Sequence, residues 1–379
     1  MPSTRDRSPD NRKVLRDHAR LIAASQEHIT PLAVVDDEVR ERNLRRMQER
    51  ANAHGLRLRP HAKTHKSAYV AMRQMVHGAV GLTAATMQES EVFADAGVRD
   101  LLIAHPPVGE PKLRRLRALA ERLDRLAVAL DTVEVAETLP ESVEILWEVD
   151  TGLHRLGTPV GEPTLVAVKR LLSAVGADRF RGLMTHAGHA YRATNDAQVV
   201  AAAEDEAHGL VETASLLRDE GIAVRELSIG STPTAGHVEV ASGVTEMRPG
   251  TYVYGDANNV QLGAQALNDC ALAVVATVVS RPERTRAVID AGSKALPADL
   301  RVAGLTGFGI VLGHPHVTLE RLSEEHGVLV SEGPIDLRVG DRVAVIPAHA
   351  CTTVNLHPAL LVVADSQSRW EPVDARGWR

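Results

Sequence analysis

The chain has 379 residues, with 43 Lys and Arg against 49 Asp and Glu, a net charge of −6, and 44% hydrophobic residues. That length allows two domains of ordinary size, or one large barrel with an appendage, and that composition excludes wholesale disorder. Mild acidity, with only three Phe, three Trp and four Tyr, argues against a nucleic-acid partner, which would need a basic face and stacking platforms.

Residues 1–26 are charged throughout and have no apolar h-region, so they do not read as a secretory signal. The longest apolar run, 271–279, is broken by Thr277 and is about half of the ~20 residues that a membrane span requires. A cytoplasmic protein with no membrane partner is expected. Cys270 and Cys351 cannot make a disulfide framework.

In chain order, a strand at 32–35 precedes a helical stretch at 36–53. From about 56 to 262, aliphatic and β-branched runs at 56–59, 80–83, 101–104, 126–130, 143–149, 180–184, 224–229 and 245–247 alternate with amphipathic stretches such as 87–96, 112–122, 163–175 and 197–219. Alternation of this kind predicts a parallel α/β sheet, and the count of eight favours a closed (β/α)8 TIM-like barrel over an open sheet. After 262, strands at 272–279, 286–290, 327–330, 342–346 and 359–363 are joined by Gly- and Pro-bearing turns, which predicts a mainly antiparallel β domain. The strand at 32–35 lies outside the set of eight and is expected to pair with that domain. The expected boundaries are an N-terminal extension over 1–30, a barrel over 31–262 and a β domain over 263–379.

In a barrel of this kind, chemistry sits in the loops that follow the strands. Here those loops are PHAKTHK (60–66), DTGLHRLG (150–157), THAGHAY (185–191), GSTPT (230–234) and RPGTY (248–252). GSTPT and RPGTY follow the seventh and eighth strands, the recurrent phosphate position of such barrels. Together they favour a phosphate site over plain turns. Lys63, hemmed by His61 and His65, is placed for a lowered pKa and Schiff-base chemistry with an aldehyde cofactor, pyridoxal phosphate. The alternative is that Lys63 and Lys66 are solvated loop lysines. Arg155 either neutralises a cofactor phenolate or is a surface arginine paired with Asp150.

In PAHACTTVNL (347–356), His349 and Cys351 are two apart and would share a face of an extended segment. Imidazole and thiolate suit zinc, and two ligands would leave coordination positions open. The competing reading is a buried cysteine beside a surface histidine. His314 and His316 read as a turn beside Pro315, with a metal role as the lesser alternative, and Cys270 reads as core.

RPHAKTHKS (59–67) resembles the signature around the cofactor lysine of fold-type III pyridoxal-phosphate enzymes of the D-threonine aldolase and D-serine dehydratase group, relatives of alanine racemase. The resemblance runs in order from about residue 30 to 378 through DTGLHRLG, HAGHAY, GSTPT, RPGTY, SEEHG and HACTTVNL. It implies a barrel followed by a β domain, and a homodimer. It implies Lys63 as the Schiff-base lysine, Arg155 near the phenolate oxygen and Tyr191 in the active site. Ser231, Thr232, Gly250 and Thr251 would surround the phosphate, and His349 with Cys351 would be the metal ligands.

The aldolase branch of the group tends to carry His-x-Asp, which suits Mn2+ or Mg2+, and the dehydratase branch His-x-Cys, which suits Zn2+. Cys351 and GSTPT therefore favour a metal-dependent dehydratase of D-3-hydroxy amino acids such as D-serine and D-threonine. The competing readings are a D-threonine aldolase on the same residues, an amino-acid racemase, and a non-catalytic pyridoxal phosphate-binding protein.

Overall fold

The structure is a computed structural model that describes residues 19–299, 301–365 and 367–377; the first eighteen positions of the expected N-terminal extension lie outside the described residues. The chain folds as two compact units, one formed by Leu44–Tyr252 and one by the residues up to Asn43 together with Val253–Arg376.

The second unit begins with β1 (Leu32–Asp36). The first unit follows with β2 (Arg57–Leu58), β3 (Leu82–Ala84), β4 (Asp100–Ile103), β5 (Arg125–Leu130) and β6 (Glu144–Asp150). It continues with β7 (Thr158–Pro159), β8 (Phe180–Met184), β9 (Glu226–Ile229) and β10 (Glu246–Met247). Eight of these, in the order β2-β10-β9-β8-β6-β5-β4-β3, form one parallel circuit, and β7 pairs with β6 outside it. A parallel bridge between His61 and Thr83 joins the two ends, so the (β/α)8 barrel closes.

Helices Met87–Asp95, Glu110–Ala120, Glu162–Val175 and Asp196–Asp219 fall within two residues of the amphipathic stretches read from the sequence. Their starts have local causes. Thr86 and Asn195 accept hydrogen bonds from the first-turn amides of Glu89 and Gln198, while Pro111 and Pro163 occupy first-turn positions where no amide is needed. Their apolar faces join Ile145, Trp147 and Val149 in the outer core. The barrel interior holds a small apolar layer of Leu102, Ala127, Ala129, Leu146 and Met184.

One rim of the barrel carries a charged ring that the loop sequences do not signal. Arg57, Asp100, Arg125, Glu144, Glu226 and Glu246 are the first residues of their strands, and Arg181 and Arg59 reach in beside them. Arg125 donates to Glu144 at 2.6 Å and to Glu226 at 2.9 Å, Arg181 donates to Glu226 at 2.7 Å, and Arg59 bridges Glu246 and Asp100 at 2.9 and 2.6 Å.

In the second unit, β11 (Leu272–Glu283), β12 (Arg286–Ile289), β13 (Gly309–Val311), β14 (Thr318–Leu322), β15 (Gly327–Val330) and β16 (Arg342–Pro347) form a closed antiparallel barrel in the order β11-β16-β13-β14-β15-β12, with β12 returning to β11. Val274, Ile289, Leu319, Leu329, Val343 and Val345 fill it. Strand β1 adds to β11 antiparallel and to β17 (Ala359–Ala364) parallel, and β18 (Gln367–Pro372) forms the edge. The isolated N-terminal strand thus pairs with the β domain, as expected. Strands β7, β13, β14 and β18 have no counterpart among the expected strands. The segment after β16 is not extended throughout: His349 caps a helix, Ala350–Leu356, which contains Cys351.

Burial pushes the Glu226 carboxyl up, but Arg125, Arg181 and Arg57 outweigh it and bring it from an ordinary 4.5 down to about 2. Its charge therefore stabilises the fold fully above pH 4.5, and that contribution fades as the pH falls toward 2. Glu226→Gln is expected to cost about 3 kcal/mol in urea unfolding at pH 7, because it takes a buried charge partner from three half-buried guanidinium groups. The gap to wild type should narrow on acidification through that window.

Candidate active site

The loops that follow the parallel strands meet around a cavity of about 490 Å³, whose lining includes His61, Lys63, Glu148, Arg155, His186 and Arg248. Lys63 lies on a single 3-10 turn, Ala62–Thr64, directly after β2, with the His61 ring accepting from its amide. The two flanking histidines separate. His61 lines the cavity, whereas His65 is buried away from it. His65 Nδ1 accepts from the Ser67 amide, so its Nε2–H donates to Gln74, whose amide in turn donates to the Tyr252 hydroxyl. Lys66 is not a free loop lysine: its ammonium is 2.6 Å from the buried Glu89 carboxylate.

Arg155 reaches the cavity from the loop after β6. Its guanidinium lies 3.8 Å from Glu148, while Asp150 binds the His154 ring and the amides of Gly152 and His154 instead. The pairing of Arg155 with Asp150 is therefore not formed. Tyr191 sits half-buried on the 3-10 turn Gly188–Arg192 and is not among the residues lining this cavity.

The two phosphate-loop candidates are stitched together. Ser231 and Thr232 are buried, and the Thr232 hydroxyl accepts from the Tyr252 amide at 3.2 Å, joining 230–234 to 248–252. Thr251, the residue before Tyr252, is also buried. The Pro249 carbonyl accepts from the His61 amide at 3.0 Å, which draws the same loop against the lysine turn. Gly250 is required there: a Cβ would lie 2.9 Å from both the His61 carbonyl oxygen and the Thr64 hydroxyl.

Sequence reasoning missed several groups that shape the site. Arg248, buried within the barrel, donates to Ser228 and to the Thr185 carbonyl. His186 Nδ1–H donates to the Gly230 carbonyl at 2.6 Å, and burial together with the Lys63 charge lowers its pKa to about 3. Burial and the same lysine also hold His61 well below the ordinary histidine value. Glu206 accepts from the Gly230 amide and is raised to about 7 by burial. Glu148 lies in a strand that reads only as an aliphatic run, and its signal is the inward period of that strand; Arg248 opens the RPGTY loop, but nothing in that motif assigns it a role of its own.

In the β domain, the His349 Nδ1–H donates to Asp299 at 2.7 Å, and the ring also hydrogen-bonds with Cys351. The pair therefore meets across a helix start, not along a strand. The buried Asp256 holds this start by accepting from the Ala350 amide at 3.0 Å. Among the described residues, no group of three or more His, Cys, Asp or Glu could hold a metal ion. His314 and His316 form a turn with their rings 6.4 Å apart, and Cys270 is half-buried against the Leu32 and Val34 core.

The family model for the alanine racemase N-terminal domain matches residues 35–258, and that for a serine dehydratase domain matches residues 271–363. D-threo-3-hydroxyaspartate dehydratase of Delftia sp. (strain HT23) is 36% identical over 375 residues, covering 92% of this chain and 98% of that protein. Its solved structure matches with a TM-score of 0.84 at 35% identity, covering 93% and 98% of the two chains. D-threonine aldolase of Arthrobacter sp is 32% identical, covering 92% and 93%, and D-serine dehydratase of Dictyostelium discoideum is 30% identical, covering 86% and 90%. The chain belongs to the fold-type III pyridoxal-phosphate enzymes, in the family that joins an alanine racemase-type barrel to a D-serine dehydratase-type β domain.

Proposed function

We propose that the protein is a pyridoxal phosphate- and metal-dependent lyase that dehydrates D-3-hydroxy amino acids, D-serine and D-threonine among them, to a 2-oxo acid and ammonia. The observation that carries this reading is the cavity that gathers Lys63 and Arg155 at the end of the barrel where the two phosphate loops are joined. The residues fit the cofactor. An amine and two guanidinium groups against one carboxylate make the cavity attractive to an anion. The buried hydroxyls of Ser231, Thr232 and Thr251, with Gly250 admitting close approach, suit a phosphate.

In this reading Lys63 holds the cofactor through its ε-amino group and, once freed, removes the Cα proton of the substrate as general base. Arg155 offsets the charge of the phenolate oxygen, and Tyr191 stands in the active-site loop after β8. When bound, the cofactor supplies an electron sink for charge developing at Cα. His349 and Cys351 would hold a divalent metal, Zn2+ by their chemistry, with Asp299 fixing the proton on Nδ1 and leaving Nε2 to the ion. That metal would supply a Lewis acid for departure of the β-hydroxyl. Support for a metal comes from a D-threo-3-hydroxyaspartate dehydratase, 35% identical, of which a cysteine-to-alanine variant is known in a metal-free form. We further read the protein as a cytoplasmic homodimer; among the described residues no helix is long and apolar enough to cross a membrane.

Purified protein given D-serine, D-threonine or D-threo-3-hydroxyaspartate is expected to release 2-oxo acid and ammonia, and a chelator should suppress the release until zinc is restored. Glycine and an aldehyde as the main products would replace the dehydratase by the aldolase reading, which the Arthrobacter relative represents. Lys63→Ala should abolish the visible absorption of the bound cofactor; an unchanged spectrum would remove its assigned role. Gly250→Ala should weaken cofactor binding by about tenfold in equilibrium dialysis, because the added methyl pushes the lysine turn and the phosphate loop apart.

A further inference from the structure

Strand β6 faces two ways. Ile145, Trp147 and Val149 enter the outer core, so Leu146 and Glu148 point into the barrel, Leu146 into the apolar layer and Glu148 one step higher, where it lines the cavity. A carboxylate in that position is expensive. Glu148 is 3% exposed, its Oε2 meets no hydrogen-bond donor, and its Oε1 has Arg155 only at 3.8 Å. The charged groups that bear on it are Arg155 and Arg248, which favour its ionisation, and Asp131 and Asp150, which oppose it along with burial.

We propose that Glu148 is a positioning residue that holds the Arg155 guanidinium over the cavity and aligns it with the bound cofactor. The inference rests on the role of Arg155 given above and goes beyond it. Arg155 comes from a glycine-bearing loop and its side chain is 53% exposed, so the loop alone does not fix where its charge lies. Glu148 is fixed by its strand. Its vacant oxygen offers the second acceptor of a two-point fork, and an approach of about 1 Å turns the present long contact into one.

The test uses the protein reconstituted with pyridoxal phosphate, as wild type, E148Q, E148D, R155Q and the double variant E148Q/R155Q. A cation beside the phenolate favours the more negative, deprotonated form of the bound cofactor, so losing that cation raises the pH midpoint of the visible band. The midpoint should therefore move up in E148Q as it does in R155Q, and E148D should lie closer to wild type. The dissociation constant for pyridoxal phosphate should rise about tenfold in each single Gln variant and no further in the double variant.

A downward midpoint in E148Q would mean that the carboxylate acts by its own charge, and an unmoved one that it acts on neither partner. Either result overturns the proposal, as would additive losses in the double variant. If R155Q itself leaves the midpoint in place, the assigned role of Arg155 fails and the proposal falls with it. A wild-type protein that takes up no pyridoxal phosphate removes the cofactor reading as a whole.

Discussion

Strands of two to seven residues carry few hydrogen bonds each, and a two-residue strand such as β2 or β10 could not survive at an open edge. Closing the parallel circuit is what makes them viable. The bridge from His61 to Thr83 is the last link in it, and His61 is also the cap of the turn that presents Lys63. Closure and presentation of the amine are thus one local arrangement. Because every strand runs the same way, every following loop is delivered to the same rim, and residues far apart in the chain converge without any direct sequence signal.

The two rims manage charge differently. On one, carboxylates and guanidinium groups at the strand starts neutralise each other through short hydrogen bonds, which lets them stay buried. On the other, cations gather around the cavity with little to balance them. Burial there favours the neutral form of His61 and His186, so the two rings add little to the positive charge of the guanidinium groups. The imidazoles consequently act as hydrogen-bonding groups of defined tautomer rather than as additional charges, as the donation from His186 to Gly230 shows.

The alternation of strand and helix is legible in the sequence because each barrel strand is a run of aliphatic residues bounded by a turn, and each helix has a recognisable first turn. The β domain is less legible. Strand β13 has only three residues and starts with a glycine, β14 carries Glu320 and Arg321 outward, and β18 is polar and mostly exposed along an edge. None of these shows the alternation that a half-buried strand needs. The segment around His349 misleads for a different reason. Spacing by two suits extended geometry, but the Asp256 carboxylate and the Thr353 hydroxyl, which donates to the His349 carbonyl, satisfy a helix start instead. An inward-pointing polar residue such as Glu148 carries no motif, although the face it occupies follows from strand period alone.

The β domain is assembled from both ends of the chain, since β1 sits between β11 and β17. On a ribosome, β1 emerges early and has no neighbour to bond until about 240 more residues have been made, which at ordinary elongation rates takes tens of seconds. The intervening barrel has every one of its own strands available before then. An aliphatic segment, LAVV, must wait through that interval without the strand partners it has in the finished fold.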